Sequence, residues 1–201
     1  MTYRDQKDAL RSLTALAVTQ GGYFTAKQAG VAGYGTAHLA YHVSAGNFER
    51  SGRGLYRIAT LPTSEHDDLV RLWLWTRDRN DRPQGTVSHQ TALSLHDLGE
   101  LIPGEIHLTV PRVFRKRAPK GCRLHKGKVE AGDSKEMFGF RVTTPLRTLQ
   151  DLAADGSLSR EQLMVAVSAA TERGLIRREQ GAGLLRAREA GAGRKLPTEA
   201  K

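Results

Sequence analysis

Residues 21–58 read GGYFTAKQAGVAGYGTAHLAYHVSAGNFERSGRGLYRI. The stretch divides into a short helix, a turn, a second helix over 36–45 and a two-strand ribbon with an Arg-Gly tip. At about 100° per residue, Leu39, Ala40 and Val43 cluster on one side of the second helix. His38, Tyr41, His42 and Ala45 fall on the other. The first set predicts packing on the preceding helices. The second is polar, aromatic and short of carboxylates, as a face near phosphate should be. Thr36 is expected to cap this helix through its hydroxyl. Gly46 is expected to end it, where a left-handed conformation costs glycine little.

The ribbon, FERSGRGLYRIA over 48–59, alternates in two phases. Leu55, Arg57 and Ala59 share one face of its second strand, and Tyr56 and Ile58 the other. Ser51-Gly52-Arg53-Gly54 is turn chemistry that calls for positive φ. Arg50, Arg53 and Arg57 are thereby expected at or near the tip, where guanidinium groups can bridge phosphate oxygens or enter a narrow minor groove. A helix over 6–20 precedes the stretch, and the whole reads as a winged helix-turn-helix. That fold usually lays one helix in the DNA major groove. The candidate DNA contacts are Lys27, Thr36, His38, Tyr41, His42, Arg50, Arg53 and Arg57. The bland alternatives are a solvated helix face on a protein-binding winged helix, and solvated hairpin arginines.

Beyond the ribbon, 60–64 reads as a linker. Ser64, followed by Glu65, Asp67 and Asp68, predicts a capped helix start with acids at the positive helix end. The helix is apolar almost all round through Leu69, Leu72, Trp73, Leu74 and Trp75, which predicts burial between two halves of the molecule. RDRNDRPQG (77–85) is a polar loop and SHQTALSLHDLG (88–99) a short helix. Residues 105–110 alternate as a strand and Pro111 stops it. Residues 112–128 form a loop or hairpin with Leu124 and His125 on a short strand. Residues 136–142 read as one further strand. Thr144 and Pro145 begin a helix cleanly, with Leu146, Leu149 and Leu152 as its buried stripe and Gly156 as its end. Two more helices are expected over 159–173 and 176–188, then a disordered tail over 189–201. The fold class is α+β: an N-terminal winged helix-turn-helix (1–60) followed by a mixed α/β domain (61–188).

The 201 residues suffice for one or two domains. A net charge of +10 favours an anionic partner. The excess is concentrated: residues 1–60 hold seven Lys/Arg against three Asp/Glu, and residues 111–130 eight against one. Arg112, Arg115, Lys116, Arg117 and Lys120 therefore form a second basic patch, read either as a further DNA or RNA contact or as a dock for an acidic protein surface. One cysteine, Cys122, excludes an internal disulfide; its basic neighbours would lower its pKa, though a lone cysteine without a placed base is more often structural. No apolar core of a signal peptide or membrane span is present, and the chain reads as cytosolic.

Signals for catalysis are weak. His89 and His96 are seven apart, not the three or four that metal ligands on a helix prefer, and no third ligand stands out. Asp133, Lys135 and Glu136 bring metal-dependent nucleases to mind, but a strand-borne acid with Glu-x-Lys spacing is lacking. GAGLL and GAGRK follow no strand and are not phosphate loops. No metal, cofactor or enzymatic activity is expected.

The chain resembles the AbiEi-type antitoxins of bacteria, regulator partners of nucleotidyltransferase toxins in AbiE-like toxin–antitoxin pairs. The matching text is GGYFTAKQA, Gly46 and ERSGRGLYRI, then VSHQTALSLHDLGELIPGEIHLTVPR and VTTPLRTLQDLA, so it spans about residues 5–155. The resemblance implies an N-terminal domain that binds double-stranded DNA at the operon's own promoter and a C-terminal domain that counteracts the toxin. The alternative is an ordinary winged-helix regulator whose second domain senses a ligand or dimerises.

Overall fold

The computed structural model describes residues 3–192 in backbone and 7–189 in side chains. The chain forms two compact units, residues 1–85 with 136–141, and residues 86–135 with 142–201. The first is larger than the expected 1–60 because the helix after the ribbon packs within it.

In the first unit, α1 (Tyr3–Thr19) presents Ala9, Leu13 and Ala17 as its buried stripe. The sequence reading missed β1 (Tyr23–Thr25), which joins β2 (Phe48–Gly52) and β3 (Leu55–Ile58) in a sheet of order β1-β3-β2. Three residues carry too little periodicity to announce a strand. Between them lie α2 (Ala26–Val31) and α3 (Thr36–Ser44). Thr25 and Gln28 close a capping box on α2. Thr36 does not cap α3: Gly35 is the cap residue and makes no side-chain hydrogen bond, so Thr36 is already helical. At the other end the Asn47 amide donates to the His42 carbonyl and the Gly46 amide to that of Val43, with Gly46 at φ +75°; this is a Schellman stop. The core gathers Leu13, Phe24, Tyr34, Leu39, Phe48 and Ile58, with the Phe24 and Phe48 rings edge to face at 5.0 Å.

Helix α4 (Asp67–Trp75) also belongs to this unit and buries Leu69, Val70, Leu72, Trp73 and Leu74. Its cap residue is His66, one turn's edge later than the predicted Ser64, and Asp67 and Asp68 occupy the first turn. The following loop is tied down by Arg77, whose guanidinium pairs with Asp81 at 3.0 Å.

The second unit holds most of a five-stranded sheet, order β6-β5-β4-β8-β7, of which residues 136–141 in the last two strands count with the first unit. Its strands are β4 (Thr86–Val87), β5 (Ile106–Val110), β6 (Cys122–Lys126), β7 (Ser134–Met137) and β8 (Phe140–Thr143). β4 runs antiparallel to β5, while β5–β6 and β4–β8 are parallel. The single strand expected over 136–142 is a hairpin instead. Phe138 (φ +53°) and Gly139 (φ +84°) reverse the chain between β7 and β8, as a two-residue turn with both φ positive does. Apolar alternation across the turn disguised it. Helices α5 (His89–Leu95), α6 (Pro145–Asp155), α7 (Arg160–Glu172) and α8 (Arg178–Ala192) supply a core of Leu93, Leu149, Leu152, Leu163, Ala166 and Leu184. Thr144 accepts the Arg147 amide at the start of α6 and Gly156 ends it at φ +72°. The expected disordered tail begins too early: residues 189–192 are helical, and the remainder lies outside the described residues. No helix among the described residues is long and apolar enough to cross a membrane.

Candidate functional site

Helix α3 and the wing carry the candidate nucleic-acid interface. Thr36, His38 and Tyr41 are exposed, Tyr41 at 65%. Ala40, assigned from the sequence to the packed side, is exposed as well. The inward side is Leu39, Val43 and His42. The His42 ring lies 4.9 Å from that of Phe48 and 5.4 Å from that of Tyr34, and Nδ1 bonds the Asn47 amide at 3.1 Å. Burial, then the charge of His38, pushes its pKa down, so it is a neutral wedge beneath the face. At the wing, Arg50 and Arg53 are exposed, with Gly54 at φ +68° in the turn.

Arg57 is not at the tip. It pairs with Tyr23 and Glu49 in the sheet register, on the face opposite Phe48 and Arg50, and is 5% exposed. Its guanidinium lies 3.7 Å from the Glu49 carboxylate and 4.0 Å from that of Asp67, and donates to the Leu61 carbonyl. Tyr23 donates to Asp67 at 3.0 Å, and burial with that bond raises its pKa to about 12. Arg57 is thus a clamp joining sheet and α4. Strand parity alone carried that signal. Lys27 is exposed, yet its ammonium donates to the Arg79 carbonyl of the loop after α4.

Residues 11–59 match the family model of the transcriptional regulator AbiEi antitoxin. The match covers α3 and the wing together. The crystal structure of the RV2827C protein from Mycobacterium tuberculosis is similar over 96% of this chain and 83% of that one, with a TM-score of 0.45 and 16% identity. No curated protein matches the chain.

The basic segment 111–121 is the irregular crossover between β5 and β6. Arg112, Arg115, Lys116, Arg117 and Lys120 are exposed on it, while Phe114 is buried beneath the Lys126 ammonium at 5.1 Å. Cys122 lies inside the second unit, where burial and then Glu105 push its pKa up to about 11. This is the environment of a structural cysteine, and Arg123, its basic neighbour in the strand, points to the other strand face.

The same sheet assembles a cluster that the sequence did not announce. His107 and Thr109 on β5, and His125 on β6, share one face through the parallel register, in which Thr109 pairs with His125. Both faces of the alternating strand are covered: His107 and Thr109 are buried as Leu108 and Val110 are. His89, first in α5, stacks on His125 with centroids 3.5 Å apart and planes at 13°. Its Nδ1 bonds the Ser88 hydroxyl at 2.9 Å, and Thr109 donates to the same hydroxyl at 2.8 Å. His125 Nε2 and His107 Nδ1 share a bond of 3.0 Å. Asp155, at the end of α6, brings a carboxylate oxygen to 3.9 Å from His89 Nε2. His96 stays apart: its Nε2–H donates to the Thr143 carbonyl at 2.7 Å. Asp133 is held by Arg147 at 2.6 Å, and Lys135 and Glu136 are exposed on β7, so the chain does have a strand-borne acid there.

Proposed function

We propose that this protein is a DNA-binding antitoxin that represses its own toxin–antitoxin promoter and counteracts a cognate nucleotidyltransferase toxin. The observation that carries the reading is the exposed α3 face of Thr36, His38 and Tyr41 beside the wing arginines Arg50 and Arg53, inside the segment that matches the AbiEi regulator model. The helix supplies base-edge contacts and the wing supplies phosphate contacts. The toxin half of the reading rests on the resemblance of residues 88–111 and 144–152 to the same antitoxins.

Gel shifts of the full chain on a fragment of its own promoter test the DNA half. Binding falls steeply with added salt as counterions are released. Tyr41→Ala lowers discrimination between promoter and random DNA by about 1 kcal/mol. Absence of binding at low salt overturns the assignment. Co-expression with a neighbouring nucleotidyltransferase tests the toxin half through restored growth. Reversing Arg112, Arg115, Lys116 and Arg117 to Glu then sorts the basic crossover: lost protection with intact promoter binding makes it a toxin dock, and the converse makes it a second DNA contact. A regulator whose second unit senses a ligand is the second reading, favoured by the polar cluster of His89, His107 and His125.

A further inference from the structure

A histidine cluster inside a small domain needs a reason. Three imidazoles lie within 6.0 Å of one another, centroid to centroid, in ground that hydrophobic side chains would fill at lower cost. We infer that His89, His125 and Asp155 form a three-ligand site for a divalent transition-metal ion of the zinc class, with its fourth position open to solvent. This goes beyond the DNA-binding reading and does not depend on it.

Several independent features support the site. One donor atom from each residue lies within 4.8 Å of the other two. Ligand atoms about 2.0–2.2 Å from a shared zinc stand closer than that, so binding draws the three together. Asp155 is exposed at the helix end, with Oδ1 accepting from the Ser157 amide at 2.8 Å and Oδ2 facing His89, and one ring must turn out of the stack. Two imidazoles and a carboxylate are borderline donors that suit zinc-like ions better than magnesium or calcium. Three protein ligands with an open position is also the arrangement of reactive or exchangeable zinc rather than of a closed structural site.

The surroundings select the right nitrogens. The bond between His125 Nε2 and His107 leaves Nδ1 of His125 free, and the bond between His89 Nδ1 and Ser88 leaves Nε2, the nitrogen nearest Asp155. Arg123 and Arg147 bring positive charge to the neighbourhood, balanced by Asp155, Asp151 and Asp133.

Two further details have no account in packing alone. Asp151 precedes Asp155 by one turn of α6. Its Oδ1 accepts from Arg147 at 2.8 Å, but Oδ2 is buried without a partner among the described residues. His89 also holds φ at +53°, an unfavourable conformation for a non-glycine residue, tolerated where a site demands it.

The test uses the full chain, stripped with a chelator and titrated with Co2+, whose visible ligand-field band reports the donor set. The expected result is one equivalent bound, displaced by Zn2+, with affinity reduced about tenfold or more in Asp155→Asn and in His125→Gln. Imidazole nitrogen shifts on Zn2+ addition to the unaltered chain give a readout that needs no variant. They should move for His89 and His125 and not for His96. Less than one equivalent bound, unshifted His89 and His125 nitrogens, or an Asp155→Asn chain that folds and binds as tightly as before would each overturn the site.

Discussion

The face of α3 with the wing draws its exposed groups from one stretch of chain, residues 36–53, whereas the histidine cluster draws on positions 89, 107, 125 and 155. The first is a local construction. Helical phase, a glycine stop and a turn motif, all local features of the chain, set the directions of Thr36, His38, Tyr41, Arg50 and Arg53. The second exists only once β5 and β6 pair in parallel and α5 and α6 cover their polar face. Its members are unremarkable one by one in the sequence. The two regions therefore differ in what a substitution should do. Changes on the local surface alter binding and spare the fold, and changes beneath it alter the fold.

The strongest test of that division is Phe24→Ala. The ring is fully buried, edge to face with Phe48 at a centroid distance of 5.0 Å and stacked on Tyr56 at 5.8 Å. Removing it leaves a cavity under both α3 and the wing and should cost about 4 kcal/mol. Denaturant unfolding measures this directly. A cost under about 1 kcal/mol would mean that the core does not hold the recognition helix in place.

Arg57→Ala is the next largest. Loss of the bonds to the carbonyls of Ile58 and Leu61, and of the partners' compensation, should cost about 2 kcal/mol. Promoter affinity measured on the remaining folded protein should hold. If instead stability is kept and affinity falls, Arg57 returns to the wing contacts and the local surface is larger than its geometry indicates.

These two residues also show how far the sequence could be read. Phase and turn chemistry sufficed for α1, α3, the wing and the clean start of α6 at Thr144. They failed where the decisive information was long-range. Arg57 looked like a tip residue because its partner Asp67 lies beyond a proline-marked linker. His42 was assigned to the open face, although its ring packs against both Tyr34 and Phe48. The hairpin at Phe138 was hidden by apolar residues on both sides of the turn. In the histidine cluster, His89 was weighed against His96 because they were neighbours in sequence, while its real neighbours were His125 and Asp155.

The pH response of His96 sharpens the contrast within the second unit. Burial lowers its pKa, with Lys135 and Arg173 adding to the effect and the bond to the Thr143 carbonyl opposing it. The folded state thus binds the proton less readily than the unfolded chain, whose histidine titrates at about 6.5. Stability is full above that value and falls as pH drops below it, because the unfolded state takes up more protons. Unfolding midpoints at pH 7.5 and pH 5.5 should differ in that direction, and His96→Gln should reduce the difference. An unchanged difference in the variant would assign the acid sensitivity to other groups.

Arg53→Ala is the smallest and the most specific test. The side chain is exposed at the wing tip, and no ion pair among the described residues ties it to the fold, so stability should stay within about 0.5 kcal/mol. If it lies against a phosphate, promoter and random DNA lose affinity together, because phosphates carry no sequence information. The slope of log affinity against log salt should flatten by about one, the release of one fewer counterion. Tyr41→Ala should do the reverse, changing the ratio between the two DNAs and leaving the slope alone. The pair of slopes separates a wing that follows the backbone from one that reads bases. Loss of promoter binding alone in Arg53→Ala would move the wing from phosphate contact to base readout, while an unchanged affinity and slope would remove it from the interface and leave α3 to account for DNA binding by itself.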